Sequence, residues 1–248
     1  MSKKQILFIL TLTFISFSYG QDAKSILRRV NDNIQGKSNK SVIKMSIVRP
    51  SYTRTIGMKG WSLGKKYFMV YITSPAKDKG QVVMKYENQM WQYTPSINRM
   101  IKLPPSMMSQ GFMGSDYSND DVVKQSSIVD DYDQKILKEE VIDSRNCYLI
   151  EMIPHDDSDV VWGKVYYWID KDLYIVLKGE YYDEDGYLVR TEYGKNIKKY
   201  RDRYLPSKII IIPHEDPENK TIIETISNNF NVPIKKRFFS QQNMKRLR

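Results

Sequence analysis

The sequence predicts a mainly β protein, one large and strongly curved antiparallel sheet whose hollow face is closed by short helices. Three observations predict it. Apolar residues alternate with period two from Ser41 to the last quarter of the chain, the signature of strands with one buried face. The runs are separated mostly by short polar turns such as Glu87-Asn88, Lys171-Asp172 and Asp183-Glu184-Asp185-Gly186, and connections that short force antiparallel neighbours. Thirteen strand-like runs are accompanied by only three helical segments, too few for a conventional second layer over so wide a sheet.

The elements follow in order. Asp22 is placed to cap an opening helix in which Ala23, Ile26, Leu27, Val30 and Ile34 recur at helical spacing, and Gly36 ends the pattern. Strands are expected at 41–49, 53–62, 66–73, 81–86, 89–94, 98–103, 132–140, 146–153, 160–169, 173–182, 187–195, 205–213 and 221–230, as one meander. Twist accumulates across such a sheet, so it should curl and present a concave face. Met45 and Ile47, Ile56 and Met58, and Phe68 and Val70 occupy alternate positions of an apolar wall, with Lys44, Arg54 and Lys59 among the intervening ones. Trp91 and Tyr93 form an aromatic strand running into Pro95, either a cross-strand stabilising pair or part of the same wall.

Between the sixth and seventh strands, residues 104–121 run from a methionine-rich stretch into an acidic turn. Met is unbranched and polarizable and packs against surfaces of more than one shape. Met107, Met108, Phe112 and Met113 therefore read either as a movable cover over the concave wall or as core beneath a long loop. A helical continuation at 119–126 and a C-terminal segment at 240–248 complete the helices on offer. The inference is a partly filled cleft.

Composition and termini bound the setting. Residues 1–20 have the layout of a secretory signal, with Lys3 and Lys4, an apolar stretch from Ile6 to Phe17, and Ser18-Tyr19-Gly20 at the expected cut. The mature chain, 21–248, is expected to be a single exported domain. Gln21 rather than Cys follows the cut, so nothing suggests lipid anchoring. Cys147 is the only cysteine, which excludes an intramolecular disulfide and a thiol-rich metal site. The net charge of +10 falls to +8 without the signal, and no acidic residue follows Glu224 while six cations do. A basic tail on an exported protein points to anionic lipid or an acidic surface more readily than to nucleic acid, although a solvated end explains it equally.

Catalytic signatures are missing. There is no Gly-x-Ser-x-Gly, phosphate loop, dinucleotide fingerprint or His-Glu-x-x-His, so no cofactor is expected. His155 and His214 each follow Ile-Pro and precede two acidic residues, which suggests a paired metal site but fits two strand-end turns better. Asp116, Asp120 and Asp121 lack the glycine and final glutamate of a calcium loop. Ser118 or Asn119 capping a short helix, with the aspartates at its positive end, explains them. A carboxylate-dependent hydrolase using the three aspartates stays a competing class.

Met90-Trp91-Gln92-Tyr93-Thr94-Pro95-Ser96 followed by Arg99, and above all Phe112-Met113-Gly114-Ser115-Asp116-Tyr117-Ser118-Asn119-Asp120-Asp121, resemble the outer-membrane lipoprotein-sorting family of LolA-like proteins. The resemblance covers nearly all of the mature chain. It implies an unclosed antiparallel β-barrel with helices over a hydrophobic opening, in a non-enzymatic periplasmic carrier. It further implies acylated lipoprotein or lipid cargo, an inner-membrane transporter of the ABC type as donor, transient contact with a membrane surface, and no nucleic acid. A periplasmic sensor of mislocalised lipoprotein on the same fold is the alternative; it would need a further interaction domain, for which the chain shows no room.

Overall fold

The computed structural model describes residues 22–124, 127–158 and 160–247. The proposed signal and its cut lie outside the described residues. Helix α1, Ala23–Gln35, opens the described chain: the Asp22 carboxylate accepts from Ser25 N–H at 2.5 Å, and Gly36 closes the helix at φ +59°, where a side chain would be strained.

Thirteen strands follow: β1 Ser38–Arg49, β2 Tyr52–Leu63, β3 Tyr67–Ser74, β4 Val82–Tyr86, β5 Gln89–Thr94, β6 Arg99–Lys102, β7 Tyr132–Ile142, β8 Arg145–Pro154, β9 Lys164–Asp170, β10 Val176–Tyr182, β11 Leu188–Tyr200, β12 Arg203–Pro213 and β13 Lys220–Phe230. All pair antiparallel in a single unclosed sheet. Each expected strand is present, with shifts at the ends. The two expected at 160–169 and 173–182 both start late; the second does so because Tyr174 takes a left-handed conformation at φ +52° and the buried Asp170 carboxylate caps the turn by accepting from the Asp172 and Leu173 amides.

The strand order corrects the expectation of one meander. It runs β6-β5-β4-β3-β2-β1-β13-β12-β11-β10-β9-β8-β7, so two meanders meet where the first and last strands pair at the centre. Strands β6 and β7 are consecutive in the chain yet form opposite edges. The connection between them must therefore cross the sheet, and its described residues, 103–124 and 127–131, lie on the concave side.

Two covers result. Helix α1 buries Ala23, Ile26, Leu27 and Val30 against inward side chains of β7–β10, among them Tyr132, Ile150, Met152, Val165 and Tyr181. The crossing segment covers β1–β4, placing Phe112 among Met45, Ile56, Met58, Val70 and Val83. Its regular parts among the described residues are three 3₁₀ turns, Pro105–Met107, Phe112–Gly114 and Ser127–Val129, and helix α2, Asn119–Lys124. Helix α3, Gln241–Met244, is a second correction: it does not close the hollow. Met244 and Phe239 pack on the outer face against Met69, Tyr71, Val82 and Met84. Among the described residues no helix is long and apolar enough to cross a membrane.

Candidate functional site

The two covers meet above the central strands and leave a cavity of about 400 Å³ between them, within the size range of small-molecule sites. Leu27, Val30 and Ile34 of α1 form one wall, Val122 and Tyr117 of the crossing segment another, and Ile43, Ile209 and Ile223 of β1, β12 and β13 the floor. A second hollow of about 440 Å³ lies against Trp61 and Phe238 and is lined by the exposed Lys40, Lys235 and Arg237. That one is a surface dish; the deeper, partly open cavity is the candidate site.

The residues named from sequence divide into three groups. Met45, Ile47, Ile56, Met58 and Val70 point inward, at most 5% exposed, and are already packed against Phe112 and its neighbours; Phe68, Met108 and Met113 lean on the same cluster. Of the twelve, Phe68 alone lines the cavity. Met107 lies outside that cluster, its carbonyl accepting from Asn119 Nδ2 at 2.9 Å. Trp91 and Tyr93 require correction, because both are on the outer face with Phe239 and Met244. Their register explains it: they pair with the outward Met84 and Val82, and the inward residue of that strand is Met90. A one-residue change of parity moves every side chain to the other face.

The acidic string turns out to be the fastening of the cover. Ser118 N–H donates to Asp121 Oδ2 at 2.7 Å while Asp121 N–H donates to Ser118 Oγ at 3.1 Å, a reciprocal cap at the start of α2. Asp116 accepts two bonds from the Arg49 fork at 2.9 and 3.1 Å and one from Thr221 Oγ1 at 2.7 Å, tying the segment to β1 and β13. Arg54 Nη1 donates to the Met113 carbonyl at 3.1 Å. Among the described residues no group of three or more His, Cys, Asp or Glu could hold a metal ion. His155 and His214 follow β8 and β12, with three strands between them.

A buried polar cluster, missed from sequence, closes one end of the cavity. Arg190 of β11 is 3% exposed and donates to Asp121 Oδ2 at 2.6 Å, while Trp162 Nε1 donates to Asp121 Oδ1 at 3.0 Å. The guanidinium also lies over the rings of Tyr181 and Trp162, 4.3 and 4.6 Å from their centroids. Glu192 accepts from Tyr181 Oη at 3.2 Å, and Tyr181 Oη stands 2.8 Å from Tyr167 Oη.

One cation serves two carboxylates, and their carboxyls are shifted in opposite directions. Burial raises both; for Asp121 the Arg190 charge and the bonds from Arg190 and Ser118 outweigh it and hold the carboxyl below its ordinary value. For Glu192 burial prevails, with the Asp121 charge adding to it, and the carboxyl is pushed up. Burial likewise drives the Tyr117 and Tyr181 hydroxyls far up, so they are neutral hydrogen-bonding groups. The available signal was Arg190-x-Glu192, two charges at period two on an inward face. The arrangement offers a channel with an apolar floor, a buried charged cluster at one end and further polar lining from Asn31, Ser41, Lys85 and Asn228.

Comparisons with known proteins agree with this architecture. A family model described as “-like: Uncharacterized protein” matches residues 64–246. An outer-membrane lipoprotein-sorting protein domain from Vibrio parahaemolyticus superposes with a TM-score of 0.80 at 22% identity, over 90% of this chain and 98% of that one. A DUF1329 family protein from Desulfovibrio piger gives 0.82 at 23% identity, over 90% and 97%. The LolA superfamily protein NE2245 from Nitrosomonas europaea gives 0.77 at 22%, over 90% and 99%. No curated protein matches the sequence.

Proposed function

We propose that this chain, which has the fold of LolA-like and outer-membrane lipoprotein-sorting proteins, is a periplasmic carrier, exported by a signal cleaved after Gly20. It takes up acyl chains of lipoproteins or lipids and moves them between the inner and outer membranes. The observation that carries this reading is the partly open cavity between two independent covers, α1 and the crossing segment, over the central strands. A carrier needs an apolar interior that can open without unfolding the sheet, and here neither cover contributes a strand to it. The protein carries out no reaction on its cargo.

Release is the physical difficulty. Moving one sixteen-carbon chain from water into the protein at ~0.8 kcal/mol per methylene would gain about 12 kcal/mol, too much for a carrier that must let go. We assign the offset to Met108, Phe112 and Met113, which occupy the wall formed by Met45, Ile47, Ile56, Met58, Phe68 and Val70. Cargo extending onto that wall displaces protein rather than water, so the net affinity falls. Met107, at the edge of the segment, would move with it. In this reading the donor is an inner-membrane transporter of the ABC type. The basic surface around Lys235 and Arg237 makes transient contact with anionic membrane.

Native mass spectrometry of the protein purified from its own periplasm tests the class. The expected result is a copurifying acylated species. Preparations that are uniformly free of lipid, and that fail to take up acylated peptide when it is supplied, refute the carrier reading.

A further inference from the structure

The neutral polar lining of the cavity is gathered in one belt. Along β1 the inward residues run Asn39, Ser41, Ile43, and along β13, read from its far end, Asn228, Thr225, Ile223. Asn39 pairs in register with Ser62 of β2, and Ser41 with Asn228 of β13. The end of α1 stands over this stretch, with Gly36 against Phe230 and Asn231, and it contributes Asn31 and Gln35, four residues apart and so on one side of the helix. The mouth is at the same end, beside the exposed Ile34, Gly64 and Lys65. Past the belt come Ile43, Ile209 and Ile223, and then the ion-paired cluster of Arg190, Asp121 and Glu192.

Four of these side chains are unpaired. Among the described residues Asn31, Gln35, Asn39 and Ser41 make no side-chain hydrogen bond, and their polar atoms stay accessible. Asn31 and Ser41 are only 8% and 7% exposed, so what surface they keep faces the hollow they line. Ser62 Oγ and Asn228 Oδ1 are instead buried in the wall, out of reach of a guest. Water can satisfy the four while the cavity is empty. A bare hydrocarbon would strip that water and return nothing, at a cost for every polar group left without a partner.

We propose that this belt is a recognition site for the ester or amide carbonyls by which acyl chains are linked to a cargo. All four side chains can donate, through an amide N–H or a hydroxyl, and a linkage carbonyl accepts. The order along the cavity matches that of an acyl-linked molecule: the chain lies on the isoleucines and stops at the Arg190 cluster, the carbonyls meet the belt, and the head stays outside near Lys65. This inference rests on the carrier reading, since both need the cavity to accept an acyl chain, but it assigns selectivity to four side chains and to one chemical group.

Isothermal titration of the exported protein, stripped of lipid, with dioctanoylglycerol and with its ether analogue dioctylglycerol tests it. The two molecules share chain length and free hydroxyl and differ in the two carbonyl oxygens. The ester should bind at least about tenfold more tightly, as two ordinary hydrogen bonds imply. In the double variant Asn31→Leu, Ser41→Ala the preference should vanish while the ether binds as well as before or better, because its chains then meet an apolar belt. Gln35→Leu with Asn39→Ala repeats the test nearer the mouth should the first variant fail to melt cooperatively. An ester preference that persists undiminished in a folded variant overturns the assignment to these residues. Equal affinity of ester and ether for the unaltered protein overturns the carbonyl site and leaves the carrier reading standing, and failure of both to bind overturns the two together.

Discussion

Replacing Arg190 by Met is the most demanding test of the polar cluster. The substitution keeps the stem volume and removes one charge from a pair whose members are 3% and 7% exposed and 2.6 Å apart. Breaking a buried ion pair by deleting one partner costs about 3–5 kcal/mol, because the other charge stays behind in an apolar place. Asp121 keeps its bonds from Ser118 and Trp162, which favours the lower figure, about 3 kcal/mol. For a domain of this size each kcal/mol moves the melting temperature by about 2–4 °C, so a loss of about 6–12 °C is expected in scanning calorimetry at pH 7. The sign with pH follows from Asp121, whose folded-state pKa lies below the ordinary value of 3.8. Its pairing stabilises the fold above that value and is lost as pH falls through the folded pKa. The deficit of the variant should accordingly shrink toward pH 3. Adding Asp121→Asn should restore part of the lost stability, since neutral replacement of a whole buried pair is often tolerated. A melting shift under about 2 °C, or a deficit unchanged between pH 7 and pH 3, would refute the claim that this pair fastens the cover to the sheet.

Other expectations follow from the same geometry. Glu192→Gln should stabilise the protein near pH 7 and lose that advantage below about pH 4.5, because the raised Glu192 pKa favours the fold while the group is protonated and costs stability as pH rises through it; urea titrations at the two pH values measure this. Phe112→Ala should cost up to about 3–5 kcal/mol if the cover and sheet unfold together; if the cover detaches alone, melting changes little and hydrophobic-dye binding rises several-fold, so no change in either counts against a seated cover. Gly111→Ala should raise dye binding in the same way, since a Cβ there falls 2.1 Å from the Ser115 carbonyl oxygen. Reversing Lys235, Lys236 and Arg237 to Glu should abolish sedimentation with anionic vesicles and leave acyl binding intact; undiminished sedimentation would remove that surface from the proposal.

What was legible in the sequence was whatever depends on near neighbours. Asp22 and Gly36 announced both ends of α1, and the period of two announced all thirteen strands, because capping and side-chain alternation are local consequences of backbone geometry. Placement across the sheet was not legible in the same way. Trp91 and Met90 are adjacent and both suit a strand, and only pairing with β4 decides which one faces inward. Asp116 and Asp121 read only as an acidic turn at the start of a short helix because their partners, Arg49, Thr221 and Arg190, are 67, 105 and 69 residues away in the chain.

The position of the cavity has the same origin. Alternation could show that the β1–β3 face was apolar, and it therefore nominated that face as the cleft. It could not show that β6 and β7 stand at opposite edges, which forces the intervening segment across the hollow and onto the very wall that reads as most apolar. The strongest hydrophobic pattern thus marks the part of the hollow that the protein fills with its own Phe112 and Met113, and the open part lies over the central strands, where Arg190 and Glu192 interrupt the pattern. Inward charges on an otherwise apolar strand are costly unless paired, so in this curved sheet they mark the unfilled cavity better than the greasiest stretch does.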